Sequence, residues 1–212
     1  MIKRLSAALS VLLACALTLG ASGGSSNWNF DAAPANQPPA GFSFSRTGEG
    51  RQGTWTIQKD KQPPSGDYVL AQLDTDSTNY RFPVAVANEP ILRDVRVSVR
   101  CKPVSGKVDQ ACGLVLRYRD ENNYYVARAN ALEDNVRFYY VAAGKRRELP
   151  NWSGNVASGM WHTLSVEAEA DRFEVFWNNQ KVIDTRDATF AEPGKVGLWT
   201  KADAVTYSMT WL

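Results

Sequence analysis

Histidine is almost missing from this 212-residue chain: His162 is the only one. No His cluster can therefore assemble a zinc site, and a Ser-His-Asp triad would have to use this one imidazole. No strand leads into a G-x-S-x-G elbow that could supply the nucleophile. Cysteine is equally scarce, with Cys15, Cys101 and Cys112 and no Cys-x-x-Cys pair. Phosphate-cradling Gly loops are absent as well, which removes the common nucleotide sites. An excess of either charge is also lacking, at 24 basic and 22 acidic residues. Such balance argues against nucleic acid as a main partner. No window keeps a helical period over three turns.

One apolar run stands out. Lys3 and Arg4 precede a stretch from Leu5 to Leu19, and small residues follow. This is the layout of a secretory signal peptide over residues 1–22, too short for a membrane span. "LLAC" (Leu12 to Cys15) is similar to a bacterial lipobox, so Cys15 is a candidate for acylation and a lipid anchor. No second run is long enough to cross a bilayer. Loss of the leader removes two cations and leaves 22 basic against 22 acidic residues. The expected location is exported: periplasmic, secreted or outer-membrane lipoprotein. There Cys101 and Cys112 remain as an even pair in an oxidising compartment, and a disulfide is expected between them.

The rest, residues 27–212, reads as one β domain. "GFSFSR", "GTWTI", "RFPVAV", "DVRVSVRC", "CGLVLRY", "NYYVARAN", "NVRFYYV", "WHTLSVEAE", "RFEVFW" and "KVGLWT" are short, aromatic or β-branched, and separated by turn residues. Many such strands predict an all-β sandwich or barrel. Alternation suggests registers. Cys101 opposite Cys112 in a hairpin sets Val99 against Leu114 and Val97 against Leu116. The next hairpin sets Leu116 against Ala127 and Tyr118 against Tyr125. A third sets Ala127 against Phe138 and Tyr125 against Tyr140. Four consecutive strands then share one apolar face.

The other face of that meander carries Arg96, Arg117, Arg128 and Arg137, with Tyr124 and Tyr139 among them. Arg96 is expected opposite Arg117, and Arg128 opposite Arg137. Like charges facing across strands are unfavourable unless anions intervene. Acids of the flanking loops, such as Asp120, Glu133 and Asp134, are candidates for neutralising them. The alternative is a ligand: guanidinium forks suit carboxylates and sulfates, and an acidic polysaccharide would then be the partner. Among the tryptophans, Trp28, Trp55, Trp161, Trp177 and Trp211 read as core. Trp152 and Trp199 are the candidates for stacking on a sugar ring.

"GMWHTLSVEAEADRFEVFWNNQKV" resembles the corresponding segment of laminin-G-like domains, and "GKVGLWTKADAVTY" is similar to their closing strands. The resemblance implies a concanavalin A-like fold: a two-sheet antiparallel jelly roll. That superfamily holds lectin-like modules, glycosidases and polysaccharide lyases. It implies carbohydrate binding as the leading function. A polysaccharide-acting lyase or hydrolase is one alternative, and a structural envelope protein without a sugar ligand is another. No cofactor is expected. A structural calcium site is in question, because "SMTWL" lacks the acidic pair many relatives carry.

"EADRFE" (Glu169 to Glu174) fits E-x-D-x-x-E, a catalytic signature of β-sandwich glycosidases. Alternation breaks inside it. Leu164, Val166 and Ala168 face inward on one strand, and Phe173, Val175 and Trp177 on the next. These match only if Ala170 and Asp171 form a two-residue turn. Glu169 then pairs with Arg172 and Glu167 with Glu174, and the acids belong to a solvated hairpin end rather than a cleft. No catalytic residue is therefore assigned.

Overall fold

The alternating segments become antiparallel strands in two stacked sheets, seen in a computed structural model that describes residues 27–211. The expected leader (residues 1–22) and the acylation of Cys15 lie outside the described residues. The first sheet runs β13 (Gln180–Arg186), β12 (Arg172–Trp177), β11 (His162–Glu169), β6 (Val95–Ser105), β15 (Val205–Trp211), β4 (Tyr68–Gln72), β3 (Trp55–Lys59). A short β1 (Asn27–Trp28) adds along β15. The second runs β10 (Lys145–Ser153), β9 (Asn135–Ala142), β8 (Asn123–Asn130), β7 (Ala111–Asp120), β14 (Lys195–Trp199), β5 (Arg81–Ala87), β2 (Phe42–Gly48).

The main core fills the space between the sheets. Val97, Val99, Leu164, Val166, Phe173 and Val175 of the first sheet meet Leu114, Leu116, Tyr125, Ala127 and Phe138 of the second. Each is a residue that the period-2 pattern turns inward. Hairpin registers of β8–β9 (Ala127 opposite Phe138, Tyr125 opposite Tyr140) and of β11–β12 (Glu169 opposite Arg172, Glu167 opposite Glu174) are as the alternation demands.

Two expected registers are corrected. β6 and β7 do not form a hairpin. β6 pairs with β11 and β15, while β7 pairs with β8 and β14. The chain crosses from one sheet to the other after Gly106, at φ 150°, where a Cβ would meet the Asp109 carbonyl oxygen at 1.8 Å. Val97 and Val99 therefore meet Leu114 and Leu116 across the core, not along a ladder. Alternation cannot separate these cases, because the same residues point inward in both. The Cys101–Cys112 disulfide forms, with Cα atoms 6.3 Å apart, and it staples sheet to sheet. It closes a loop with a sequence separation of 11 residues. Replacing both cysteines with serine is expected to cost about 2–3 kcal/mol in denaturant unfolding. An unchanged unfolding midpoint would show that the staple adds nothing.

The second correction lies in β7–β8. Leu116 stands opposite Tyr125, and Leu114 opposite Ala127, two residues from the expected register. A bulge between Leu116 and Asp120 absorbs the difference, and Arg117 takes a positive φ of 46° there. A shift of two preserves which residues face inward as far as Leu116; past the bulge Tyr118, expected inward opposite Tyr125, packs on Tyr124 at the outer face. The shift does not preserve where Arg117 points.

The outer face of the second sheet is itself a core. Phe82, Val84, Val86, Val115, Tyr124, Val126, Tyr139, Val141 and Trp199 are all buried there. The sheet coils until distant strand ends meet. Tyr80 Oη donates to Gly144 O at 3.1 Å and accepts from Arg146 N at 3.0 Å. Thr47 Oγ1 hydrogen-bonds Tyr124 Oη at 2.7 Å. Twist of the common hand, enhanced by the bulge, produces this closure.

Candidate functional site

Three strands carry the polar part of that outer face. On β8 the outward residues are Tyr124, Val126, Arg128 and Asn130. On β9 they are Asn135, Arg137, Tyr139 and Val141, and on β10 Arg146, Glu148 and Asn151. The ladder sets Arg146 beside Val141, Glu148 beside Tyr139, and Asn151 beside Arg137. Arg128 stands opposite Arg137.

Of the residues singled out from sequence, Arg128, Arg137 and Tyr139 come together here. Tyr124 and Trp199 form the buried floor. Trp199 stacks on Phe82 with centroids 5.2 Å apart, and at 1% exposure it offers no face to a sugar. Burial holds the Tyr124 phenol well above the usual tyrosine range. Arg96 and Arg117 are elsewhere, and they do not face one another. Arg96 lies on the outer face of the first sheet, paired with Glu167 at 3.2 Å. Arg117 is turned by its bulge into the end of the sandwich. It donates to three carbonyls, of Arg93 (3.1 Å), Phe190 (2.8 Å) and Ala170 (2.6 Å). Trp152 is half-buried against the main core. Trp161, expected in the core, is half-buried instead and donates its indole N–H to Asp60 Oδ2 at 3.1 Å and Gln62 O at 2.9 Å. The Trp211 side chain lies outside the described residues.

An anion does intervene between the facing arginines, and it is internal. Glu133 Oε2 takes Arg128 Nη2 at 2.8 Å and lies 3.6 Å from Arg137 Nη2. Glu148 Oε2 accepts from Arg137 Nη1 at 2.9 Å, and its other oxygen accepts from Asn151 Nδ2 at 2.9 Å. Burial works against the Glu133 carboxylate, but the charge and hydrogen bond of Arg128, with Asn135 and Arg137, hold its pKa below the usual range. Of the flanking acids, Glu133 alone does this work. Asp120 is held by Asn122 N and Asn123 Nδ2, and Asp134 by Val156 N.

A second polar group lies deeper, beside the row. Asn130 Nδ2 donates to Asp109 Oδ1 at 3.1 Å, and Lys201 Nζ to Asp109 Oδ2 at 2.7 Å. Asp109 is fully buried, and that burial raises its pKa despite Lys201. The outcome is a row of alternating donors and acceptors, with Arg137, Glu133 and Glu148 each about a third exposed at the surface. The Nε atoms of Arg128 and Arg137 are buried with no hydrogen-bond partner. Such a row suits a polyhydroxylated ligand, whose vicinal hydroxyls both donate and accept. Glu148, Asn151, Asn135 and Lys201 were not singled out from sequence. β10 reads as a loop because Pro150 and its run of charges hide the alternation.

The "EADRFE" acids sit on the opposite side of the molecule. Ala170 (φ 51°) and Asp171 make the tight turn. Asp171 pairs with Arg186, and Glu174 with Arg172 (3.1 Å) and Lys181 (2.8 Å). Glu174 and Arg172, with Asp94, Arg96, Glu167 and Glu169, border an open groove of about 460 Å³; Asp171 does not line it. Among the described residues no group of three or more His, Cys, Asp or Glu side chains could hold a metal ion.

Comparison with known proteins adds to this geometry. No family model matches the chain. The carbohydrate-binding module CBM66 from Bacillus subtilis superposes with a TM-score of 0.61, at 21% identity, over 78% of this chain and 91% of that one. A β-glucanase from Bacillus licheniformis gives a TM-score of 0.54 at 15% identity, over 90% and 97% of the two chains. The fold is a concanavalin A-like jelly roll. In sequence, a levanase from Bacillus subtilis (strain 168) is 31% identical over 80 residues, 38% of this chain. Those residues are 12% of the levanase, so this chain spans a small part of that relative's length.

Proposed function

We propose that this chain is an exported carbohydrate-binding domain and that the β8–β10 face makes the contact. The observation that carries the proposal is the ordered row Arg128–Glu133–Arg137–Glu148–Asn151, partly exposed, with Glu133 in the tight β8–β9 turn and the others on strands. Fixed side chains lose little freedom when a ligand arrives. The likeness to a carbohydrate-binding module and to a stretch of levanase supports the same reading. So does the intersheet disulfide, which suits an oxidising compartment. No helix among the described residues is long and apolar enough to cross a membrane.

The ligand follows from the charge accounting. Of the four arginines expected to attract an acidic polymer, Arg96 and Arg117 are not on this face. Arg128 and Arg137 are neutralised by Glu133 and Glu148. A polymer with a carboxylate on every sugar meets those two acids as well as the arginines. The row therefore favours hydroxyls over a dense polyanion. Levan is the first polymer to test. Calorimetry should show binding to levan or a neutral β-glucan and weaker binding to alginate. Glu148→Ala should weaken the neutral-polymer affinity about tenfold, the size of one hydrogen bond to a charged group. Its exposed position predicts an unchanged melting temperature. Binding to alginate alone, or full affinity in Glu148→Ala, would overturn the assignment.

A further inference from the structure

Arg146 is the guanidinium on this face without a carboxylate among the described residues. Its Cζ lies 4.4 Å from the Tyr139 ring centroid and 4.8 Å from that of Phe82. The two rings fix its position, and its Nη1 is buried with no hydrogen-bond acceptor. Lys145 and Arg147 flank it in the sequence and are exposed, but alternation turns them to the other face of the sheet, beside Ala142 and Tyr140. Acids do come near. The β7–β8 turn, bound to this hairpin through Gly144 N and Asn122 O, carries Asp120 and Glu121. Asp120 is engaged by Asn122 and Asn123, and neither acid pairs with these cations.

The contrast with the neighbouring row is chemical. Arg128 and Arg137 are matched to acids of the same face; Arg146 is matched to none among the described residues. A stacked guanidinium with free N–H groups is a recognition element for carboxylate, sulfate or phosphate. Its place on the track matters too. Arg146 and Glu148 point the same way two residues apart on β10, so about 7 Å separates their positions along the strand. That is about the reach from one sugar of a chain to a neighbouring one.

We infer that the β9–β10 hairpin end binds an anionic substituent of a glycan whose neutral hydroxyls lie on the Arg128–Asn151 row. The inference rests on the carbohydrate-binding reading and adds a preference to it: a sparsely charged chain, bearing one sulfate or carboxylate beside unmodified sugars.

The test compares levan with levan sulfated at low density, by calorimetry at low salt. Wild type should bind the sulfated polymer about tenfold more tightly, since one charged hydrogen-bonding group is gained. The preference should shrink as salt rises and screens the guanidinium charge. Arg146→Gln should abolish the preference yet keep the affinity for unmodified levan, which also reports that the face has stayed folded. Arg146→Lys, which keeps the charge but not the fork, should retain part of it. Free sulfate should not displace unmodified levan. Equal affinity of wild type for the two polymers overturns the anion site and leaves the carbohydrate reading standing. A preference that survives in Arg146→Gln also overturns it. Binding of neither polymer, with none to a neutral β-glucan either, removes both readings.

Discussion

Arg81→Met is expected to lower the unfolding free energy by about 3–5 kcal/mol, the cost of removing one partner from a buried charge network. Arg81 is fully buried at the start of β5. Its Nε donates to Arg51 O at 2.6 Å, its Nη1 to the carbonyls of Asp76 and Ala202, and its Nη2 to Asp74 Oδ1 at 2.9 Å. One guanidinium thus ties together three segments, at residues 51, 74–76 and 202. Burial depresses its pKa, and the charges of Asp74 and Asp76 oppose that. Methionine has a similar stem but leaves those carbonyls without a donor. Lysine should recover little, because one ammonium cannot reach acceptors spread around a planar fork. Urea unfolding checks this: the midpoint should fall with the slope unchanged. A midpoint near wild type would mean that the loops hold themselves.

Arg117→Met should destabilise by about 2–4 kcal/mol and leave carbohydrate affinity within twofold. The guanidinium reaches Arg93, Phe190 and Ala170 carbonyls and sits 4.9 Å over the Phe173 ring. It plugs the end of the main core, away from the β8–β10 row. The two readouts separate a structural role from a ligand-binding one. Denaturant titration should move while levan calorimetry stays put. Weakened binding at unchanged stability would return Arg117 to the ligand site.

Why Arg117 was assigned to the ligand face illustrates what a sequence conveys about this fold. Alternation is a two-valued signal, and it carries through β8, β9, β11 and β12, where Tyr125, Phe138, Val166 and Val175 all face inward as their spacing requires. It also exposes the turn at Ala170–Asp171, because the pattern breaks there. It fails at Arg117, where a bulge with positive φ inserts residues without changing the composition. It fails between β6 and β7, since a hairpin and a crossing between sheets bury the same side chains. The site was legible in half. Arg128, Arg137 and Tyr139 could be placed on one face, and Glu133 named as a neutralising acid. Glu148 and Asn151 could not, because their strand has no apolar rhythm. The burial of Trp199 and Tyr124 depends on how far the sheet coils, which is a property of all seven strands together.

β10 has one more consequence. It is the outermost strand of its sheet, so one row of its backbone groups has no ladder partner there. Bare strand edges recruit other strands and seed aggregation. This one is poor bait. Pro150 lacks an N–H, the register shifts between Glu148 and Asn151, and Lys145, Arg147 and Glu148 are exposed charges. The irregularity that hides β10 from a sequence reader thus also hides it from neighbouring chains.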